Sequence, residues 1–103
     1  MQGVAAVVAD YFGIPTALLY GHRPPRELVR ARRVAVYLLR MHYGGITLRT
    51  ISKHFGGHNG RAVEDLRYLT YELESDPQLR ADLEQIQQQL TDQLAHQLAE
   101  RPP

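Results

Sequence analysis

Apolar residues recur along this chain at helical intervals, and no stretch alternates with the period of two that marks a half-buried strand. Val4, Val7, Val8, Tyr11 and Phe12 share one helical face, and Gly13 supplies a stop. Ile14-Pro15-Thr16 restarts the chain, with Thr16 placed to cap a short helical turn through Leu18, Leu19 and Tyr20. Gly21 to Arg26 reads as a loop, because Pro24 and Pro25 exclude a helix interior. A long helix is predicted from about Glu27 to Tyr43, with a stripe of Leu28, Val34, Ala35, Leu38, Leu39 and Met41, and Gly44-Gly45 ends it. Thr47 is a good N-cap for a short helix that turns Leu48, Ile51 and Phe55 inward. Gly56-Gly57 then makes a tight turn in which at least one glycine is expected at positive φ. Asn59 can cap the next helix, whose buried side is expected to be Val63, Leu66, Leu69 or Thr70, and Leu73. Pro77 pushes Asp76 out of the α region and suits the first turn of a last helix, Gln78 to Glu100. There Leu79, Leu83, Ile86, Leu90, Leu94 and Leu98 form one narrow stripe. The expected fold is all-α: a helical bundle of six or so helices, with a central helix-turn-helix and a long C-terminal helix.

Length changes this picture little. The 103 residues suffice for one domain over 1–103, with a core in 4–75 and the C-terminal helix at about 78–100. Without cysteine there is neither a disulfide framework nor a thiolate site. No apolar run approaches the roughly 20 residues needed to span a bilayer, and the N-terminal stretch lacks the basic flank of a signal peptide, so the cytoplasm is the expected compartment.

Charge changes it more. The net +1 hides an asymmetry: residues 1–61 hold nine basic groups against Asp10 and Glu27, whereas residues 62–103 hold three arginines against nine acids, giving +7 and −6. A basic portion suited to a polyanion is set beside an acidic one. Arg23, Arg26, Arg30, Arg32 and Arg33 cluster just upstream of the helix-turn-helix. Arginine suits phosphate forks, and cations near a helix N-terminus oppose its dipole, so local stability does not explain Arg30 and Arg33. The alternative is a salt-bridged face, for which Glu27 is the only acid nearby in sequence.

Helix, glycine turn and helix also describe ordinary helical hairpins; the exposed chemistry at the second helix's start raises the DNA reading. His58, Asn59, Gly60 and Arg61 stand there, and Asn can pair with adenine and Arg with guanine in a bidentate way. The plainer reading makes Asn59 a cap and Arg61 a solvated cation. Glu64 and Asp65 follow at once, and acids there would repel phosphates unless turned away. The five histidines lack ligand spacing, no phosphate-cradling glycine loop occurs, and no nucleophile motif is present, so no metal, nucleotide, cofactor or enzymatic activity is expected. The leucine stripe of the last helix either folds back on the domain or pairs with a second copy as a homodimer.

The order of motifs resembles a known family. Val8-Ala9-Asp10-Tyr11-Phe12 with Ile14, Leu18-Leu19, the basic loop Arg23 to Arg26, Val29-Arg30-Ala31-Arg32-Arg33, Thr47-Leu48 with Ile51, and Phe55-Gly56-Gly57 are similar to the C-terminal DNA-binding domain of the bacterial chromosomal replication initiator DnaA. The similarity is strongest over Val8 to Val63 and weakens towards Leu90. The resemblance implies double-stranded DNA as partner and a nucleoid-associated role in replication initiation or transcription regulation. It implies that Arg23 or Arg26 enters the minor groove, that Arg30 and Arg32, with Arg33 beside them, contact phosphates, and that Thr47 and Arg49 open the helix crossing the backbone. Base reading falls to His58 to Ala62. Where the initiators typically continue Arg-Asp-His-Thr-Thr-Val, this chain has His58-Asn59-Gly60-Arg61-Ala62-Val63, keeping only the valine. The family's scaffold is retained and its reading residues are replaced. A second expectation is therefore a protein-binding module that kept the fold and works through its acidic half and leucine stripe.

Overall fold

Each helix starts and stops where a backbone group finds or loses a partner. The computed structural model describes residues 2–21, 28–56 and 60–100. Its helices are α1 (Gln2–Phe12), a short 3-10 helix (Thr16–Leu19), α2 (Val29–His42), α3 (Leu48–His54), α4 (Arg61–Ser75) and α5 (Pro77–Glu100), and no strand occurs among the described residues. The chain leaves α1 through Gly13 at φ 69°, a conformation only glycine adopts without strain. Thr47 caps α3 as expected, its hydroxyl accepting from the Thr50 N–H at 3.1 Å. Asp76 does more than end α4. Its carboxylate accepts from the Leu79 N–H at 3.0 Å and so opens α5.

The core lies around α2, which packs on α1, α3 and most extensively on α4, while α5 closes the far side against α1 and α4. Val4, Val7 and Val8 of α1, Val34, Leu38 and Leu39 of α2, Ile51 and Phe55 of α3, Leu69 of α4, and Leu79, Leu83 and Ile86 of α5 are all buried. Tyr11 donates to the Asp82 carboxylate at 2.6 Å and ties α1 to α5.

Three expectations are corrected. The 3-10 helix begins at Thr16 itself; Pro15 occupies the capping position and no side chain bonds there. On α4, Val63 is 44% exposed and the buried positions are Ala62, Asp65 and Leu69, with Leu66 and Leu73 partly covered. The helix packs on the line through 62, 65/66, 69 and 73, which rotates Val63 by about 100° to the outside. Met41, in the last turn of α2, is 59% exposed. The leucine stripe of α5 folds back on the core at Leu79, Leu83, Ile86 and, in part, Leu90, whereas Leu94 projects into solvent and the Leu98 side chain lies outside the described ones.

Candidate nucleic-acid interface

The helix-turn-helix is joined by one buried side chain. Ser52, on the inner face of α3, accepts the Ala62 N–H at 3.0 Å and so satisfies one of the donors that the first turn of α4 leaves without a helical partner. Gly56, at φ 79°, carries the chain out of α3, and a Cβ there would sit 3.4 Å from the backbone nitrogen of Gly21. That closeness has a purpose, since the Gly21 N–H donates to the Phe55 carbonyl at 2.7 Å. The start of the arginine loop is thus stitched to the turn. Tyr20, His54 and Phe55 pack edge-on beside it, with the Tyr20 hydroxyl 3.0 Å from His54 Nε2.

Arg32 completes the stitch. It is only 1% exposed, its guanidinium donating to the Gly21 carbonyl at 2.5 Å and to the Phe55 carbonyl at 3.4 Å and lying over the Phe55 ring. Burial lowers its pKa from the usual arginine value. The sequence expectation of a phosphate contact at Arg32 is corrected on this ground: the guanidinium faces inward and anchors the loop instead.

Arg30 and Arg33 are accessible but already occupied. Arg30 donates to Glu72 at 3.0 Å and to Asp76 at 2.7 Å; Arg33 donates to Glu72 at 2.7 Å and stacks over the Tyr68 ring at 4.6 Å. The salt-bridged face, for which sequence neighbours offered only Glu27, is supplied by α4. That helix runs antiparallel to α2 and brings acids from about forty residues away. The Leu79 N–H, followed by Arg30, holds the Asp76 carboxyl below its ordinary pKa.

Thr47, the N-cap of α3, and Arg49 and Thr50 on its first turn are exposed, as is Lys53 on its last turn. Gly60 precedes α4 and its carbonyl accepts the Glu64 N–H. Arg61 is the first residue of α4, half-buried, with Nε 3.6 Å from Asp65 Oδ1. Arg23, Arg26, His58 and Asn59 lie outside the described residues. Asp65, expected to repel phosphates, is turned inward: its side chain is 4% exposed and faces Arg61 and Arg33, while burial raises its pKa against the pull of Arg61, Arg32 and Arg33.

Sequence reasoning missed Ser52, Asp65, Glu72 and Asp76. Of their pairings only Arg61–Asp65, at i,i+4 spacing, left a signal along the chain.

A family model described as the bacterial dnaA protein helix-turn-helix matches residues 1–63. The chromosomal replication initiator protein DnaA of Thermomicrobium roseum is 33% identical over 99 residues, which cover 95% of this chain and 21% of that protein. Its counterpart in Synechococcus sp. is 32% identical over 87 residues, 84% of this chain and 17% of the relative. That of Burkholderia multivorans is 29% identical over 91 residues, 87% and 17%. The chain spans about a fifth of the length of these relatives. With the motif order, the stitched turn and the family match all falling on one stretch, the chain belongs to the bacterial DnaA helix-turn-helix family.

Proposed function

We propose that this chain binds double-stranded DNA with some sequence preference, α3 crossing the backbone and the N-terminal end of α4 entering the major groove, in a role in replication initiation or transcription regulation. One observation carries the reading. Arg49 and Lys53 are exposed on α3 with no acidic partner among the described residues, while Arg61 stands at the start of the helix that Ser52 fixes to α3. Unpaired exposed cations attract phosphate, and such contacts position the protein without reading sequence. Base reading then falls to Arg61, with His58 and Asn59 in the adjoining segment, and the minor groove to Arg23 or Arg26. Arg30 and Arg33 reach phosphate only in competition with Glu72 and Asp76.

A gel-shift titration of mixed-sequence duplex at several salt concentrations tests this. Retardation at micromolar protein that weakens steeply with salt is expected. Arg23→Ala and Arg49→Ala should weaken all sequences together, whereas Arg61→Ala should relax preference. No salt-sensitive shift at that concentration would sink the reading.

A second reading, docking of another protein or a second copy, is favoured by the shallow groove between α1, α2 and α5. Tyr43 and Leu94 line it, and Met41 is exposed on the same end of α2. Sedimentation of the chain with and without Leu94→Glu tests the second copy: a dimer that the substitution dissolves supports self-association, and a monomer throughout removes self-association.

A further inference from the structure

We propose that Asp65 is a positioning residue that presents Arg61 for guanine readout and thereby sets a base preference particular to this chain; the inference rests on the DNA-binding reading above. Arg61 is the first residue of α4, next to Ala62, whose N–H the Ser52 hydroxyl of α3 accepts. The Arg61 Nε lies 3.6 Å from Asp65 Oδ1 across one helical turn, an ion pair just beyond hydrogen-bond reach, and this buried Nε has no hydrogen-bond partner among the described residues. A guanidinium donates along two edges. With the Nε edge turned to Asp65, the edge formed by the two terminal nitrogens is left to point away, and that fork matches O6 and N7 of guanine.

Of the cations around this carboxylate, Arg61 is the one it is left to orient. Three guanidinium groups surround it, and two have stronger attachments: Arg32 to the Gly21 and Phe55 carbonyls, Arg33 to Glu72. Arg33 Nε is 4.0 Å away, and Asp65 Oδ2 has no hydrogen-bond partner among the described residues. Burying a carboxylate that is left partly unsatisfied carries a desolvation cost, which the three guanidinium groups around it offset. A cation at the first position of a helix also opposes the dipole. Offsetting the buried Arg32 charge accounts for an acid at this position, and orienting Arg61 accounts for a cation on the first turn beside it. Arg61 meets no other acid among the described residues, so the fork remains available to a base.

Selection from a random duplex pool, run on the full chain and on Asp65→Asn and Arg61→Lys, tests this, with circular dichroism and melting to establish that each variant folds. The wild type should enrich guanine at one position. Both variants should lose about tenfold or more of that preference, equal to the discrimination of one bidentate pair, while affinity for mixed-sequence DNA changes far less. In the double variant the loss should not exceed that of Arg61→Lys alone. A folded Asp65→Asn protein that keeps the guanine preference overturns the inference and leaves DNA binding standing. A wild type that shifts no duplex removes the DNA-binding reading, and the inference with it. Should Asp65→Asn fail to fold, the Nε–H nuclear magnetic resonance of Arg61 in the wild type decides. A signal distinct and slowly exchanging, unlike that of exposed Arg67, supports the pair; one averaged with the exposed arginines overturns it.

Discussion

Arg32 and Arg33 are neighbours in sequence with opposite fates, and the 100° step of a helix is the cause. Arg32 points into the seam between the 3-10 helix, the turn and α2; Arg33 points along α4. Arg32→Met should therefore behave as a core lesion, removing a buried donor to two carbonyls and lowering stability by roughly 1–3 kcal/mol in urea denaturation. Arg30→Ala, which removes half-exposed ion pairs, should lower it by no more than about 1 kcal/mol. Arg32→Met should also weaken DNA binding, because it releases the anchor at the base of the arginine loop. His54 makes a pH prediction at the same scale. Burial lowers its pKa from the ordinary 6.5, so the folded state favours the neutral ring. Its contribution to stability is full above the ordinary value and declines as pH falls below it towards the folded value. Melting temperature should drop between about pH 7.5 and about pH 5.5, and His54→Gln should flatten that part of the curve.

Among the elements, α4 does two jobs that pull in different directions. Its first turn carries Arg61 and is fixed by Ser52; its last turn and C-cap lay Glu72 and Asp76 over the arginines of α2. Ser52→Ala should cost roughly 1–3 kcal/mol by orphaning the buried Ala62 N–H, which thermal unfolding would register. The acids at the other end stand where phosphate oxygens would compete. Glu72→Gln should therefore raise affinity for mixed-sequence duplex severalfold at low salt while slightly lowering stability, and a drop in affinity would show that the pairs position the arginines instead of masking them.

For the molecule as a whole, folding offsets the division of charge written along the chain. Nine basic groups stand in residues 1–61, but the acids of α4 cover two of those arginines and the core takes a third. The slope of log affinity against log salt should accordingly be shallower than nine phosphate contacts would require, at about −0.9 per contact, and Glu72→Gln should steepen it by about one contact. A slope matching all nine would mean that the ion pairs open on binding. No helix among the described residues is long and apolar enough to cross a membrane.

Much of this architecture was legible along the chain because its determinants are local. The Thr47 cap, the glycine turn at Gly56 and the start of α5 at Pro77 each depend on a few consecutive residues, and the apolar period located every long helix. The order of motifs carried the family. The rotation of α4 was less legible: Ala62 and Asp65 read as surface residues by type, yet the close approach of α3 and the arginines of α2 bury them. What the tertiary structure alone decided is the state of the arginines. Arg30, Arg32 and Arg33 look alike in sequence, and their partners Glu72, Asp76, Gly21 and Phe55 lie from eleven to forty-six residues away. Composition supplies the charges, but electrostatic energy depends on distance and burial, and those exist only once α2 and α4 have packed antiparallel.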